Sequence, residues 1–456
     1  MDINYTKISI IVMVITYILL TSIISIRIRS KTNTEFMTAS KSMSPWVIGC
    51  LLMAAFTGAP STIGTAQSAY QYGFASIWAI LAISIGFLIF GLFFVKRIYA
   101  SGEFTISGFI AKKYGKSTKL IISLLMIIAM FIANVGNYIS GAASVSIILD
   151  IDFALAMIII GIVSTFYFMI GGLKGVAIIT IVHVIMKFIS IAIILVVALF
   201  LSGGILPVIN ELPEYYFSFS GDIGINNIIA WIIVTTGSIF STQFVIQSIC
   251  ANKNTKSAQK SCFIAALLCI PLGIGISLSG VIAKYLFPDI QSIYALPIFL
   301  QYMSPMLSGL AIIGILATVF ISVATVALSI SSLLIQDFYI LIFKSDKQNF
   351  MKIVRRCSLF IGIVPMIFAF TIPEVLKLSF FSRALRLSIT VIAIISVSLP
   401  LFNSTKGINV AIVLSTLLTA IWYILDDPWG INNIYIALLT PTIVMLGENF
   451  ILKKLE

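Results

Sequence analysis

Long apolar segments alternate with short polar segments along almost the whole chain. Each apolar segment has about 18 or more residues, enough at about 1.5 Å per residue to cross about 30 Å of hydrocarbon as a helix. We therefore predict about thirteen transmembrane helices in an all-α polytopic membrane protein. The predicted spans are 8–28, 44–72, 76–98, 120–149, 153–170, 176–201, 228–250, 262–286, 300–334, 354–371, 378–402, 409–425 and 433–452.

Two of the predicted spans are interrupted by small polar residues near their middles. Residues 54–62 read AAFTGAPST and residues 235–243 read TTGSIFSTQ. Gly58 and Pro60 weaken a helix, and bare backbone groups within a membrane are tolerated where they line a cavity or bind a ligand. Each interrupted span opens a block of five spans, and the two blocks have opposite orientation. This pattern predicts an inverted repeat with a binding site at the breaks; the alternative is a simple packing kink.

The distribution of charge sets the expected orientation of the chain. Only 10% of the residues are charged and 60% are hydrophobic, whereas soluble domains are about a quarter charged. Basic residues cluster in alternate loops, including 96–119 and 253–260, and acidic residues occupy loops between them, including 211–222 and 426–427. The positive-inside rule then places the N-terminus outside and the C-terminus inside the cell. We expect a multi-pass plasma membrane protein that contacts the lipid bilayer, with no nucleic-acid partner and no obligate protein partner.

An inverted repeat with a binding site at two broken spans is typical of transporters, and the sequence offers little support for other functions. It has one histidine and no HExxH, GxSxG or phosphate-binding glycine loop, so we do not expect an enzyme or a cofactor. A channel needs a continuous polar stripe, whereas the polar residues here cluster at the two interruptions. A transporter-like membrane sensor remains an alternative to a carrier. The five cysteines show no CxxC spacing and are predicted to be packing residues.

Several short segments, in their order and spacing, resemble the sodium:solute symporter family, which includes proline, pantothenate and sugar symporters. These segments are SMSPW at 42–46, YQYG at 70–73, GGLKGV at 171–176, QSICANK at 247–253 and SSLLIQDFY at 331–339. The resemblance implies a leucine-transporter-like fold of 5+5 inverted repeats. The chain then divides into 1–43 (first span and cytoplasmic loop), 44–203 (first repeat), 204–225 (outer loop), 226–403 (second repeat) and 404–456 (two accessory spans).

The resemblance also implies a sodium site between the broken second span and the ninth span. Its expected ligands are the carbonyls of Ala54, Thr57 and Thr318 and two adjacent hydroxyls, of which Ser322 supplies one. Oxygen ligands suit a hard cation, but the second hydroxyl position is Ile321, which has none. Na⁺ is the coupling ion that the family implies, and Ile321 makes this metal site doubtful.

The sixth span departs from the family in a second way. Relatives commonly have an aspartate after the threonine that corresponds to Thr180, whereas Ile181 stands here. Lys187 lies seven residues beyond Thr180 on the same helical face, with His183 between them. A cation inside a membrane is costly and usually functional. We interpret Lys187 as a substitute for the ion or a proton carrier with His183 as relay; alternatively, Lys187 extends to the membrane surface and His183 bonds a carbonyl.

The expected substrate pocket is poor in hydrogen-bonding side chains. Where sugar-carrying relatives place polar groups, this chain has Phe56, Ile80 and Cys269, and Ser238 stands at the aromatic inner gate position. A polyol is therefore disfavoured, because a hydroxyl buried without a partner costs about 1–3 kcal/mol. The remaining polar residues expected to bind substrate are Ser61, Asn134, Thr235 and Gln243.

Two arginines suggest the charge of the solute. Arg383 and Arg386 are three residues apart on the eleventh span, and no acidic residue lies in the middle of a span to pair with them. A guanidinium binds a carboxylate through two hydrogen bonds, so we expect an anionic or zwitterionic solute. The alternative is that both reach the outer headgroups. The predicted function is secondary active transport of a small solute, such as a carboxylate or amino acid, by alternating access; a sodium-independent or proton-coupled carrier is the alternative.

Overall fold

The computed structural model describes residues 3–149, 151–340, 350–369, 375–398 and 404–455, and nearly all of them are helical. The helices are α1 (Ile3–Arg27), α2 (Asn33–Thr38), α3 (Pro45–Phe56), α4 (Ala59–Tyr72), α5 (Trp78–Phe93), α6 (Val95–Ser101), α7 (Ile106–Leu149), α8 (Phe153–Leu201), α9 (Ile205–Glu211), α10 (Ile225–Ser241), α11 (Gln243–Ile249), α12 (Thr255–Leu286), α13 (Pro305–Leu333), α14 (Phe350–Phe368), α15 (Val375–Ser398), α16 (Thr405–Ile424) and α17 (Asn433–Leu455).

Within the described residues, eight helices are individually long and apolar enough to cross a membrane. Two further crossings result if each of two bent helix pairs forms one span, and Phe153–Phe166 and Asn433–Glu448 are shorter apolar helices. The structure confirms a helical protein with many spans. The number thirteen, the orientation of the termini and the division into repeats stay predictions.

Both interrupted spans are broken helices, as the sequence predicts. Helices α3 and α4 meet at an angle of 55° around Thr57 and Gly58. Helices α10 and α11 also meet at 55°, and their break lies at Thr242, near the end of the interrupted stretch. Each break exposes backbone groups that a continuous helix would pair internally.

The chain turns between the fifth and sixth predicted spans. The long helix α8 contains both 153–170 and 176–201, and its one non-helical residue, Gly172 with a φ of 55°, lies in the gap predicted between them. A methyl group at Gly172 would lie 2.8 Å from the Cα of Phe36, so glycine allows both the left-handed conformation and the contact with α2. Predicted span 120–149 is similarly the second part of α7, which bends at Gly115.

Helix α13 is the centre of the molecule. All of its residues from Ala311 to Leu333 are buried, because it is apolar on every side and packs against α8, α7, α1, α14 and α3. The α10 helix packs between α5 and α15, and α12 packs against α3, α4, α5 and α8. Helices α16 and α17 pair with each other and cover α15. The first break therefore faces α13 and the second lies beside α15.

The two ends of the bundle carry opposite charge. One end, here called the basic face, exposes Lys96, Arg97, Lys112, Lys113, Lys116, Lys253, Lys256 and Lys260. There the Met43 N–H donates to the Ala251 carbonyl at 3.1 Å. The other end, called the acidic face, carries Asp222, Asp289, Asp426 and Asp427. There the Tyr216 hydroxyl donates to the Tyr70 carbonyl at 3.0 Å, joining the loop before α10 to the end of α4.

Candidate functional site

At the first helix break, nearby side chains donate hydrogen bonds to the backbone carbonyls that the break leaves free. The Thr62 hydroxyl donates to the Thr57 carbonyl at 2.9 Å, and the Ser61 hydroxyl donates to the Phe56 carbonyl at 3.0 Å. The Thr57 hydroxyl donates back to the Met53 carbonyl at 2.7 Å. All of these residues are buried, so the break is a polar site enclosed by apolar helices.

Lys187 reaches this break from α8. Its side chain is 1% exposed, and its ammonium donates to the Thr57 carbonyl and, at 3.0 Å, to the Thr57 hydroxyl. In the structure, therefore, Lys187 does not extend to the membrane surface, which was the alternative. An ammonium thus lies on one of the carbonyls that the family resemblance implies as an ion ligand.

Other predicted ion ligands belong to α13 beside the same break. A methyl group at Gly58 would lie 2.6 Å from the Cβ of Ser322, so α13 passes directly over the gap between α3 and α4. The Ser322 hydroxyl donates within its own helix to the Thr318 carbonyl at 3.0 Å. Ile321 is buried in the core, and Ala54 is buried on α3.

His183 lies one helical turn before Lys187 and connects α8 to α1. It is buried, and its Nδ1 atom is hydrogen-bonded to the Tyr17 hydroxyl, with the two rings 5.6 Å apart in an edge-on arrangement. From the sequence, the alternative partner expected for His183 is a backbone carbonyl. In the structure, the partner of Nδ1 is instead the Tyr17 hydroxyl. The Thr180 hydroxyl donates to the Val176 carbonyl at 2.7 Å and so stays within its own helix.

The two arginines of α15 are buried and bind neutral groups. Arg383 is 3% exposed and donates to the hydroxyls of Ser61 at 2.9 Å and Thr235 at 3.0 Å. Arg386 is 5% exposed and donates to the Thr242 hydroxyl at 2.7 Å and the Ser382 carbonyl at 3.1 Å. The arginines thus connect both helix breaks and do not reach headgroups. Among the described residues, neither forms a salt bridge.

A small cavity of about 40 Å³ lies beside the two guanidinium groups, and both of them line it. Phe56, Ser61 and Phe244 also line this cavity. The rings of Phe56 and Phe244 lie 5.3 Å apart, and the Arg383 guanidinium carbon lies 5.9 Å from the centre of the Phe56 ring. The cavity is too small for an organic solute, so the helices must separate before one can bind.

The remaining residues predicted to bind substrate lie outside the lining of this cavity. Asn134 is buried on α7 and accepts from the amide of Asn137, which does line the cavity, at 3.3 Å. Thr235 reaches the site only through Arg383. The Gln243 amide donates to the Phe104 carbonyl at 3.0 Å, towards the basic face. Cys269 is buried on α12.

Four residues of the site were not predicted from the sequence. Tyr17 is the one aromatic residue of the predicted first span, 8–28, but nothing in the sequence shows that it pairs with His183. Asn137 follows Asn134 by one helical turn, which is a usable signal. Thr242 lies at the second helix break, between α10 and α11, within the interrupted stretch 235–243. Phe244, like Phe87, packs its ring on Phe56. The expected gate position, Ser238, instead donates its hydroxyl to the Thr235 carbonyl.

A buried carboxylate holds the helices together near the basic face. Asp337 lies in the π-helical turn Leu334–Tyr339 after α13 and is fully buried. It accepts hydrogen bonds from the hydroxyls of Ser107 and Ser123, and the Lys119 ammonium lies 3.0 Å from it. All three partners belong to α7, so this contact connects α7 to the end of α13.

Several known transporters are similar to this chain in sequence. The sodium/pantothenate symporter of Haemophilus influenzae is 21% identical over 350 residues, which cover 73% of this chain and 71% of that protein. The high-affinity proline transporter of Bacillus subtilis is 24% identical over 75% of this chain and 76% of its own length. The human high affinity choline transporter 1 is 25% identical over 66% of this chain and 56% of its own length.

Solved structures share the fold. A Na⁺-coupled sialic acid symporter in its substrate-bound outward-open state superposes with a TM-score of 0.83 at 16% identity, covering 97% of both chains. A nucleobase-cation-symport-1 family transporter gives a TM-score of 0.58 at 16% identity, covering 91% of this chain and 95% of that one.

The family model for the sodium:solute symporter family matches residues 36–380, which is more than half of the chain. The relatives are transporters, and this confirms the expectation of a membrane transporter rather than an enzyme. The chain belongs to the sodium:solute symporter family.

Proposed function

We propose that this protein is a secondary transporter of the cell membrane that moves a small carboxylate or amino acid by alternating access. The observation that carries this proposal is the pair of buried arginines, Arg383 and Arg386, which lie between the two helix breaks with neutral partners. Family membership supports secondary transport, and the arginines narrow the class of solute.

The arrangement in the membrane follows from charge and from the two breaks. The basic face is cytoplasmic under the positive-inside rule, and the acidic face is then external. Repeats at 44–203 and 226–403 each begin with one of the two broken spans, which have equal bends of 55°. Together with one span before and two after them, they form the proposed thirteen spans.

The case for an anionic solute rests on an unbalanced charge. Burying a cation is strongly unfavourable unless it is paired, and hydroxyl partners neutralise no charge. A guanidinium has five N–H groups, and Arg383 uses two of them in its hydrogen bonds to Ser61 and Thr235. A carboxylate in an enlarged cavity would supply the counter-charge and accept two of the remaining N–H groups.

The proposed coupling mechanism differs from sodium symport. Family members are sodium:solute symporters, and Na⁺ is the default coupling ion for this chain. Lys187, however, places an ammonium on the Thr57 carbonyl, one of the implied sodium ligands. We therefore propose that Lys187 replaces the ion, and that its protonation and release from Thr57 couple transport to protons. His183, one turn away, is the proposed relay.

Binding of carboxylates tests the proposed solute class. Purified protein would be heated with a panel of carboxylates, amino acids and sugars, each with and without Na⁺, since a ligand that binds the folded state raises its melting temperature. Carboxylates should stabilise the protein and neutral sugars should not. Arg386→Gln should weaken carboxylate binding about 10- to 100-fold, because a hydrogen bond to a charged group contributes about 1.5–3 kcal/mol.

Arg355→Gln is the matched control, because Arg355 is exposed on α14. Unchanged binding of every carboxylate by the Arg386 variant would remove the argument for an anion. Counterflow of a labelled carboxylate in liposomes would then separate a carrier from a transporter-like sensor, because a sensor binds without exchanging its ligand across the bilayer.

A further inference from the structure

The structure is open towards the arginine site at its acidic face. A cavity of about 460 Å³ opens there between α4, α10 and α15, and Phe380 lines it. The ring of Phe380 also lies against Arg383, whose guanidinium carbon is 5.1 Å from the ring centre. In a transporter that works by alternating access, the site is closed on one side while it is open towards the other. The closure in this structure should therefore lie between the arginine site and the basic face.

Helix α11, which follows the second break, fills the space between the arginine site and the basic face. All of its residues, Gln243–Ile249, are buried, and they pack against α2, α3, α6, α7, α12 and α13. The helix begins after Thr242, whose hydroxyl accepts from Arg386. It ends at Cys250, whose thiol donates to the Glu103 carbonyl at 3.4 Å. Separation of α11 from its neighbours would thus open a route from the arginines to the basic face.

Two glutamines, one helical turn apart, hold α11 in this position. The Gln243 amide nitrogen donates to the Phe104 carbonyl at 3.0 Å. The Gln247 amide nitrogen donates to the Met37 carbonyl at 2.6 Å and to the Ser332 hydroxyl at 2.9 Å. These hydrogen bonds connect α11 to three separate segments, which are α2, the residues before α7, and α13.

The same contacts leave the oxygen of each glutamine side chain without a partner. The amide nitrogens must face the carbonyls, since the opposite orientation would bring two acceptors together. The Oε1 atoms of Gln243 and Gln247 are then buried without a hydrogen-bond partner among the described residues. Water would reach these oxygens only after α11 had separated from its neighbours. Hydration of one such acceptor favours the separated state by about 5- to 150-fold, so the closed arrangement also contains a tendency to open.

We propose that Gln243 and Gln247 form the latch of an inner gate, and that α11 closes the route from the arginine site to the basic face in this structure. When the gate opens, the amide nitrogens leave the carbonyls of Phe104 and Met37, and water hydrates both glutamine side chains. This inference rests on the proposed function only in its use of alternating access. It holds for any solute and for any coupling ion.

The native Cys250 reports the state of this gate, because it is 6% exposed and lies at the end of α11. Purified protein in lipid nanodiscs would be treated with a membrane-impermeant maleimide, and modification of each cysteine would be followed by mass spectrometry. Gln247→Glu replaces the donor that faces the Met37 carbonyl by an acceptor. At about pH 8, where a hydrated glutamate is ionised, Cys250 should react at least about 10-fold faster than in the wild type. Gln243→Glu should act in the same direction.

Gln259→Glu is the matched control for the latch variants. The Gln259 amide nitrogen also donates to a backbone carbonyl, that of Gly91 at 3.0 Å, but this contact joins α12 to α5 and does not involve α11. Cys250 should react as slowly in this variant as in the wild type. Cys262 is the internal control, because it is fully buried beside Gly91 and would become reactive together with Cys250 only in a misfolded protein.

The outcomes separate the gate from the proposed function. Faster modification of Cys250 alone in the latch variants would support the gate. Unchanged modification of Cys250 in both of these variants, or an equal increase in Gln259→Glu, would overturn it. The labelling needs no solute, so a failure of carboxylates to bind would overturn the proposed solute class and leave the gate standing.

Discussion

Replacing Lys187 by methionine removes a buried charge and keeps a side chain of similar length. The ammonium makes two hydrogen bonds to Thr57, and a hydrogen bond to a charged group contributes about 1.5–3 kcal/mol. The Thr57 carbonyl still accepts from the Thr62 hydroxyl at 2.9 Å, so this carbonyl keeps a donor in the variant. The loss of even one of these hydrogen bonds, about 2–3 kcal/mol, would shift the equilibrium between conformations that hold and release Thr57 by about 30- to 150-fold.

Stability should respond differently from transport. Removing a buried charge also removes its desolvation penalty, and apolar replacements of buried charges are often neutral or stabilising. The melting temperature of Lys187→Met should therefore equal or exceed that of the wild type. A structural role alone would instead lower stability and transport together.

The assay is uptake into liposomes with choline in place of sodium and with a pH gradient, acidic outside. Wild-type protein should accumulate the solute without sodium, because the proton carried by Lys187 supplies the driving force. Accumulation by Lys187→Met should be at least about 30-fold lower than accumulation by the wild type. The variant should still exchange labelled for unlabelled solute. Lys174→Met is the control, since Lys174 pairs with Glu35 near the surface.

Strict sodium dependence of the wild type, with no response to the pH gradient, would refute the reasoning. So would a Lys187→Met protein that still accumulates solute under a pH gradient. Either result would make the contact with Thr57 a structural feature and leave Na⁺ as the coupling ion.

Substitutions at Gly172 and Asp337 test the packing of the fold, with Gly175 as a comparison for Gly172. Gly172→Ala should lower stability by at least about 1–2 kcal/mol, measured as a loss of melting temperature, because its left-handed φ and its contact with Phe36 exclude a methyl group. Gly175→Ala should be tolerated, since no atom lies within 4 Å of the added methyl position. Asp337→Asn should cost about 1–3 kcal/mol by weakening the contact with Lys119, and hydrogen exchange near the basic face should increase; unchanged exchange would contradict a role in joining α7 to α13.

The broad architecture could be predicted because membrane insertion imposes simple rules. Apolar length gives the spans, and small polar residues inside a span mark a break, as at Gly58 and Thr242. Gly172, the non-helical residue within α8, likewise lies in the gap between the predicted spans 153–170 and 176–201. The close contact of this turn with Phe36 on α2 could not be predicted. Hydropathy does not report such contacts between segments distant in sequence.

The site was predictable where one residue differs sharply from its surroundings. Lys187, Arg383 and Arg386 are cations in apolar segments, so their importance is visible without a structure. Their partners were harder to predict, because hydroxyl residues such as Ser61 and Thr242 are common in membrane helices. Pairing depends on how α4, α10 and α15 are positioned, and this information lies in long-range packing.

The position of Lys187 also constrains any role for sodium. A sodium ion bound to the Thr57 carbonyl would lie within a few ångströms of the Lys187 ammonium, and two unit charges 4 Å apart repel by about 4 kcal/mol at an effective dielectric constant of 20. This repulsion would weaken sodium binding by about a thousandfold. Sodium and the protonated lysine therefore exclude each other at this carbonyl. If Lys187 replaces the ion, as proposed, the missing hydroxyl at Ile321 and the missing carboxylate after Thr180 have the same explanation: the cation at this site is attached to α8 and needs fewer ligands than a diffusible one.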